Sequence, residues 1–304
     1  MGNPTAPPNV AAAVATGDGT STTADANGCT GGCGPALTTP TSLQQYVSAL
    51  DGGAAAGSPL DAARRALSEC NGSTLDLSQL GLSDADLAAL WPSVAPLAPR
   101  LTTLNLFLNE LTLLPACVAE CSRLERLLVG ANPLTTLAPG CLAGLTALTF
   151  LDVGYSDSLK AFPPETGIGS CTALTVLRAG NGRLSALPDD LWALPALTEV
   201  HAYGNCLTSL GDAVGAARRL TVLNVGRNGL TALPSRLGEC GALQVLAAYE
   251  NALTGVPRSV AALPCLRVLN VDFNQGLPPP PLAVRRAADA KALALFLSGG
   301  KVAT

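Results

Sequence analysis

The stretch LTTLNLFLNELTLLP, from Leu101 to Pro115, decides the fold of this 304-residue chain. It returns with few changes as LTVLNVGRNGLTALP, from Leu220 to Pro234. Both follow the phrase L-x-x-L-x-L-x-x-N-x-L-x-x-L-P, with Val also allowed at the sixth position. A fixed internal period indicates an array of stacked structural repeats. The phrase, in more or less complete form, starts at Leu101, Leu124, Leu148, Leu174, Leu197, Leu220, Leu243 and Leu266. Five of the seven intervals between successive starts are 23 residues long.

Positions within the phrase, counted from its first leucine, have a direct physical interpretation. Positions 4 and 6, such as Leu223 and Val225, alternate with outward-facing neighbours and predict a short strand. Stacked strands of this kind form a parallel sheet along the concave side of a solenoid. The amide of Asn at position 9 both donates and accepts hydrogen bonds, so it can satisfy turn backbone groups in stacked coils. This residue recurs as Asn109, Asn132, Asn205, Asn228, Asn251 and Asn274.

The period and the phrase together predict an α/β fold, a right-handed leucine-rich repeat solenoid or horseshoe with a concave parallel β-sheet. A degenerate phrase from Thr74 to Leu82 brings the total to about nine repeats, with caps at both ends. Two repeats depart from the pattern, because one carries an extra residue near Asp157 and the next has Gly182 in place of Asn. We therefore expect a local irregularity between Tyr155 and Gly182.

Four segments follow from the pattern. Residues 1–40 are rich in Ala, Gly, Thr and Pro and predict a flexible tail, because they offer little apolar surface to bury. Residues 41–73 predict a helical cap that includes SPLDAARRALSEC, with Ser58 as N-cap and Pro59 at the first helical position. Residues 74–280 form the solenoid, and residues 281–304 predict a C-terminal capping helix and tail.

The C-terminal helix has a predicted start and a predicted apolar face. Pro281 suits the first helical position. A cap over the last coil is one interpretation of this face, and a partner-binding helix is the other. The residues on the face, at helical spacing, are Ala283, Ala287, Ala290, Ala294 and Leu297.

The phrases resemble those of the short-repeat intracellular class of leucine-rich repeat proteins, the Ras-group-related and Ras-suppressor type. The resemblance runs from Thr74 to Gly300 and includes GLPPPPLAVRRAADAKALALFL, which looks like the closing segment of that class. In the family this segment forms a helix over the last coil. The resemblance implies a role in small-GTPase or protein-phosphatase signalling, or in an organelle or cytoskeletal assembly.

Composition excludes several partner classes. The net charge is −4 and no basic face is visible, so we predict no nucleic-acid partner. No apolar run approaches the roughly 18 residues of a membrane span, so we predict no membrane insertion. The first basic residue is Arg64, which leaves no basic segment for a signal peptide or presequence. We therefore expect an intracellular, cytoplasmic location.

A catalytic site is the first idea that VHAYGNCLTSLG, from Val200 to Gly211, suggests, because it holds the only histidine. His201 falls at position 5 and Cys206 at position 10, and five extended residues span roughly 16 Å. The pair is then too far apart for a nucleophile and its base. We predict no enzyme activity, no cofactor and no small-molecule substrate.

The cysteines also have a structural interpretation. Cys121, Cys171 and Cys240 occupy position 21 or its equivalent, where cysteine serves as a small buried apolar residue. Cys29 and Cys33 lie in a Gly-rich stretch without a nearby histidine or a second ligand pair, so we predict no metal site.

The predicted binding face consists of the variable outward positions 5, 7 and 8 of the strands. They hold five of the chain's eleven aromatic residues, and aromatics are enriched in interface hot spots. Packing of these rings on each other is the alternative. Arg126, at position 3, either shares the face or is a solvated charge at its edge. The predicted partner-binding residues are Phe107, Arg126, Tyr155, Arg178, His201, Tyr203, Arg227, Tyr249, Glu250 and Phe273.

These features predict a non-catalytic interaction module or scaffold that binds a protein partner on its concave face, as a signalling regulator does. A structural subunit of a large intracellular assembly is the alternative. A secreted recognition receptor is a third hypothesis, which the missing signal and the missing cysteine clusters at the two ends of the repeats disfavour.

Overall fold

The computed structural model describes residues 57–278 and 289–299. The first element is helix α1, Pro59–Glu69. Ser58 caps it, because its hydroxyl oxygen accepts a hydrogen bond from the Asp61 amide at 3.2 Å. Proline suits the first helical position because an amide hydrogen there has no intrahelical partner. The predicted tail, and the part of the predicted cap before residue 57, lie outside the described residues.

Helix α2, Asp84–Val94, forms the convex side of the first coil. It starts with a capping box, in which Ser83 and Asp86 exchange side-chain and backbone hydrogen bonds. Its buried face carries Leu87, Leu90 and Val94. Helix α1 packs against α2 and the first strand, so both helices cover the core at this end.

Nine short parallel strands make the main sheet, in the order of the sequence. Each strand has three residues, at positions 3 to 5 of its repeat, and equivalent positions are aligned in register from coil to coil. The strands are β1 Thr74–Asp76, β2 Thr103–Asn105, β3 Arg126–Leu128, β4 Phe150–Asp152, β5 Val176–Arg178, β6 Glu199–His201, β7 Val222–Asn224, β8 Val245–Ala247 and β9 Val268–Asn270. Two further strands, Leu113–Leu114 and Thr136–Leu137, pair with each other beyond the asparagine turns.

The core is a stack of equivalent apolar side chains. Position 4 is fully buried in coil after coil, as at Leu177, Val200 and Leu223. Burial of each leucine side chain contributes about 2 kcal/mol. Replacement of Leu223 by Ala therefore costs about 2–5 kcal/mol, because it also leaves a cavity.

The return segments on the convex side are short. Most are 3-10 turns: Ala98–Arg100, Ala116–Glu120, Pro164–Thr166, Ile168–Ser170, Asp212–Ala216 and Ser235–Glu239. Two are single α-helical turns, α3 Asp189–Trp192 and α4 Arg258–Ala261. The predicted core thiols Cys121, Cys171 and Cys240 lie at the ends of such turns and are fully buried.

The expected irregularity is present in the coil that starts at Leu148. Its return consists of two 3-10 turns joined at Gly167, whose φ is 83°. A side chain there would be strained and would also press on Ala143, whose Cα lies 2.9 Å from a built Cβ. The neighbouring Thr166 is fully buried, and its hydroxyl has no described hydrogen-bond partner. The strand of this coil keeps its register, so the extra length is taken up on the convex side.

Helix α5, Ala290–Leu297, lies over the last coil. It packs against α4 and β9, and Ala290, Ala294 and Leu297 are buried in that contact. The Val256 amide donates a hydrogen bond to the Leu297 carbonyl at 3.4 Å. Pro281, Ala283 and Ala287 of the predicted helix lie outside the described residues.

Candidate binding face

The concave edge is held together by an asparagine ladder, formed by the six position-9 residues. In a typical coil Asn228 accepts a hydrogen bond from the Leu207 amide at 3.0 Å. Its amide group donates to the carbonyls of Ala202 and Val225, both at 3.0 Å. One side chain thus joins the backbone of two successive coils, as the sequence predicts.

The ladder is interrupted in two neighbouring coils. Ser156 takes position 9 in one, and its hydroxyl donates only within its own coil, to the Val153 carbonyl at 2.9 Å. Gly182 takes the position in the next coil and has no side chain. The Leu134 amide, equivalent to that of Leu207, accordingly has no acceptor among the described residues.

Position 8 has a left-handed backbone in every coil, which the sequence does not reveal. Its φ is 54° at Arg227, 49° at Glu250 and 58° at Phe273. The residue types are diverse, so no glycine or asparagine pattern marks the site. The conformation is kept because the position-8 amide donates to the position-7 carbonyl of the next coil, as from Arg227 to Tyr249 at 2.7 Å.

Two tyrosines lie flat on glycines of the preceding coil. A Cβ built on Gly226 would be 2.3, 2.5 and 2.6 Å from three consecutive ring atoms of Tyr249. A Cβ built on Gly180 would be 2.7, 3.0 and 3.0 Å from three atoms of the Tyr203 ring. Nearly equal distances place these points over the ring faces, since a point beside the ring edge would be much farther from the flanking atoms.

Tyr203 is also held at its hydroxyl. The Asn181 amide group donates to that oxygen at 3.3 Å. Burial raises the pKa of Tyr203 well above its usual value, and the neighbouring Tyr155 side chain raises it further. Tyr203 therefore remains neutral at any physiological pH. Tyr155, Asn181 and Tyr203 form one polar aromatic group across three coils.

Two arginines stack on one phenylalanine near the middle of the sheet. The Arg126 guanidinium carbon lies 4.3 Å from the centre of the Phe150 ring, and that of Arg178 lies 5.2 Å from it. We call Arg126, Phe150 and Arg178 the arginine stack. Phe150 is absent from the predicted binding residues, although its position 3 pairs with Arg126 in the sheet register.

The remaining charges on the predicted face are engaged locally. His201 Nε2 lies 3.2 Å from Glu199 Oε2, on the same strand. Arg227 Nε donates to both carboxylate oxygens of Glu250, at 3.1 and 3.0 Å, across neighbouring coils. This second pair is exposed, so it contributes at most about 1 kcal/mol and mainly fixes the two side chains.

Asp152 is a further site residue that sequence reasoning missed. It lies at position 5 of β4, and its carboxylate accepts a hydrogen bond from the Gly154 amide at 2.9 Å. Burial raises the pKa of Asp152, and both that hydrogen bond and Arg178 oppose the rise. Its Asp–x–Gly pattern signals the turn, but nothing local in the sequence reveals the burial.

Most of the predicted residues lie together on adjacent coils, and two residues, Phe107 and Phe273, lie apart from them. Tyr155, Arg178, His201 and Tyr203 lie on adjacent coils, with Arg126 at one side and Arg227, Tyr249 and Glu250 at the other. Phe107 is half-buried near the N-terminal end. Phe273 is 71% exposed on the last coil.

His201 and Cys206 do not form a site. The ring of His201 contacts Glu199, and the Cys206 backbone amide donates to the Leu184 carbonyl of the preceding coil. Within the described ranges, no three His, Cys, Asp or Glu side chains lie close enough together to hold a metal ion. Cys29 and Cys33 lie outside these ranges.

The buried thiols are unreactive. Burial raises the pKa of Cys121, Cys141 and Cys171 to about 12, and that of Cys240 to about 11. A thiolate is the reactive form, so these groups are inert near neutral pH.

No helix in the described part of the chain has the length and apolar character needed to cross a membrane.

Solved structures with the same architecture are leucine-rich repeat proteins. One is a leucine-rich repeat protein of Leptospira interrogans, 26% identical, with a TM-score of 0.51 over 66% of this chain and 55% of that one. The chain has the leucine-rich repeat fold. A TDR receptor is similar at 22% identity and a TM-score of 0.56, over 66% of this chain and 35% of the receptor. That likeness concerns the fold alone.

A third leucine-rich repeat structure was solved with a bound partner. It is the ectodomain of the Arabidopsis thaliana membrane receptor kinase GASSHO1/SCHENGEN3, in complex with CASPARIAN STRIP INTEGRITY FACTOR 2. The identity is 27% and the TM-score 0.51, over 60% of this chain and 25% of that one. No family model and no curated protein sequence matches the chain.

The present leucine-rich repeat chain spans about half of the Leptospira protein and a quarter to a third of the two receptors. The predicted α/β solenoid is confirmed. The neighbours support the leucine-rich repeat family in general. They do not single out the Ras-suppressor type.

Proposed function

We propose that this protein is a non-catalytic interaction module that binds a protein partner on the concave face of its solenoid. One observation carries the proposal: aromatic and charged side chains are held there in fixed pairs before any partner arrives. Tyr203 is fixed on Gly180, Tyr249 on Gly226, and Arg178 on Phe150. Prearranged side chains lose little conformational freedom on binding, which strengthens an interface. The complex of the plant ectodomain with its protein partner supports the same role in general.

The test compares a variant at two concave tyrosines with a variant at one exposed residue of the convex side. The double variant Tyr203→Ala, Tyr249→Ala removes two rings from the concave face without opening the leucine core. The control Arg218→Ala removes a large exposed side chain from the return segments. We expect capture of partners from native cells to fall at least tenfold in the double variant and to stay unchanged in the control. Unchanged capture by a folded double variant would contradict the proposal.

A role in a large assembly is the second candidate, and one observation favours it. The last coil exposes apolar side chains, with Phe273 71% and Val268 41% exposed. Aromatic side chains such as Phe273 are enriched in contact surfaces. Phe273→Asp should then release the protein from a native complex on size-exclusion chromatography, whereas Tyr203→Ala should not. The reverse result would favour the central tyrosines of the concave face over its C-terminal end at Phe273.

We also propose an intracellular location and a role in signalling, by resemblance to the Ras-suppressor type. Cys121, Cys171 and Cys240 are free thiols buried in the core, and free core thiols are typical of a reducing compartment. Mass analysis of protein alkylated inside its native cells should find thiols at Cys121, Cys171 and Cys240. Disulfides at these positions would contradict an intracellular location.

A further inference from the structure

The arginine stack lies on the outward face of three neighbouring strands. Arg126 of β3 and Phe150 of β4 pair in the sheet register at position 3, and Arg178 follows at position 5 of β5. The leucines at position 4 of these strands are fully buried, so positions 3 and 5 point away from the core. Arg126 is exposed, and the other two side chains are half-buried. The stack therefore reaches solvent on the concave side.

The arginines of the stack have no acidic partner among the described residues, where the ion pairs join other side chains. Asp152 on β4 accepts a hydrogen bond from the Gly154 amide instead, and Glu199 on β6 lies beside His201. A guanidinium has five N–H donors. No acceptor in the described part of the chain binds those of either arginine, so they remain for an acidic ligand.

The phenylalanine ring holds the two cations close together. Their guanidinium carbons lie 4.3 and 5.2 Å from the ring centre, so they are at most about 9.5 Å apart, the sum of those distances. One short segment of a ligand can contact both. The ring contact also restricts the two long side chains before a ligand arrives, so that less conformational freedom is lost on binding. Arginine is more weakly hydrated than lysine, which favours ion pairing at an interface.

A third arginine on the same face shows what the stack lacks. Arg227 Nε donates to both carboxylate oxygens of Glu250, so the charge of that arginine is balanced within the protein. The stack has two cations and no such acid in the described ranges. Its neighbour Asp152 is the register partner of Arg178 and is bonded to a backbone amide. Charge complementarity therefore calls for an acidic group from a ligand.

We infer that the arginine stack binds aspartate or glutamate side chains of an acidic segment of the partner protein. The carboxylates accept hydrogen bonds from the guanidinium groups of Arg126 and Arg178, in charge-assisted and often bidentate contacts. A carboxylate suits the stack better than a phosphate, because the neighbouring Asp152 repels the second negative charge of a phosphate. The inference rests on the proposed function and names the chemistry that the concave face recognises.

Fluorescence anisotropy with labelled synthetic peptides tests the inference on the full chain. The first peptide has twelve residues, with four glutamates among glycines and serines. The second has glutamines in place of the glutamates, and the third carries about the same net charge on two phosphoserines. At low salt we expect the first peptide to bind about tenfold more tightly than the second, and more tightly than the third. Equal binding of the first two peptides, or tightest binding of the phosphoserine peptide, would overturn the inference.

Variants show whether the acidic peptide contacts the stack. The double variant Arg126→Gln, Arg178→Gln should weaken binding of the first peptide about tenfold. The matched control Arg123→Gln, Arg219→Gln removes the same charge from exposed turns before two of the strands, and should weaken binding less than about twofold. Equal weakening by the two double variants, each with the melting temperature of the parent, would overturn the inference, because net charge alone would then explain the binding.

Two further variants test the role of the ring. Arg126→Lys, Arg178→Lys keeps both charges, and Phe150→Leu keeps both arginines. Each should weaken the acidic peptide about threefold, because lysine lacks the planar fork and leucine lacks the aromatic face. Unchanged affinity in both would also overturn the inference. If the acidic peptide fails to bind while partner capture still depends on Tyr203 and Tyr249, the inference fails and the proposed function stands.

Discussion

The regular coils that start at Leu197, Leu220 and Leu243 differ from the irregular coils that start at Leu148 and Leu174. The regular coils are joined by the asparagine ladder, and the strands β7 and β8 present mostly small, uncharged side chains. The irregular coils lack the asparagines, yet they carry the arginine stack's Phe150 and Arg178, together with Tyr155. The irregular coils thus keep outward-facing aromatic and charged side chains although they have lost the asparagines that join the regular coils.

The largest expected effect comes from removing one asparagine of a regular coil. Asn228→Ala leaves the Leu207 amide without its partner in a buried turn and removes one of the two hydrogen bonds that the Ala202 and Val225 carbonyls each accept. The unsatisfied amide costs about 1–3 kcal/mol and each of the two lost bonds to a carbonyl about 1 kcal/mol, so we expect a loss of about 3–5 kcal/mol in the free energy of unfolding. Urea denaturation measures it. A loss below about 1 kcal/mol would show that the ladder does not join the coils.

The next largest loss of stability is expected from replacing a glycine that lies beneath a tyrosine ring. Gly226→Ala displaces the Tyr249 ring from its contact with Gly226 and should lower the free energy of unfolding by about 1–2 kcal/mol. Gly241→Ala is the matched control, because a Cβ there meets nothing within 4 Å and its φ is not positive. The control should be neutral or slightly stabilising, since alanine restricts the unfolded chain. Equal effects at the two glycines in urea denaturation would contradict the ring-on-glycine packing.

The third prediction restores the missing asparagine of the ladder in an irregular coil. Ser156→Asn puts the ladder's amide at position 9 of the irregular coil, where the Leu134 amide lacks an acceptor. We expect a gain of about 1 kcal/mol, the net value of a typical hydrogen bond. A thermal melt compares the variant with Ser156→Ala, which loses the bond to Val153 and should fall by a similar amount. A destabilised Ser156→Asn would mean that the irregular coil cannot accept the regular turn.

The smallest effect concerns pH. Because burial raises the pKa of Asp152 in the folded protein, the folded state holds that proton more tightly than the unfolded chain. Stability therefore falls as pH rises from below 3.8, the usual pKa of an aspartate, through the raised pKa of Asp152 in the folded protein. Asp152→Asn keeps the acceptor for Gly154 and removes this loss. Its stability relative to the parent should increase with pH across that range and then level off. A constant difference across the range would contradict the burial of a charged Asp152.

Much of the fold was predictable from the sequence because its structural features repeat from coil to coil. Leucines at positions 4 and 6 recur at a fixed period, so the strands, their register and the asparagine ladder follow from the sequence alone. The Ser58 cap follows from local propensity.

The pairing of side chains was not predictable in the same way. Phe150 between two arginines, and Tyr203 on Gly180, depend on contacts between residues about one repeat apart. The sequence aligns those positions but does not fix the side-chain rotamers that bring them together. The left-handed position 8 is hidden for another reason, since tertiary hydrogen bonds impose it on residues as different as Arg227 and Phe273.

Photo-crosslinking in native cells tests most directly whether the concave face binds the partner. A benzophenone amino acid replaces Tyr203 on the concave strand side or, as the control, Ala216 on an exposed convex turn. We expect irradiation to join a partner to the protein labelled at position 203 and not to the one labelled at position 216. Adducts at position 216 alone, from two equally folded variants, would contradict the concave-face account.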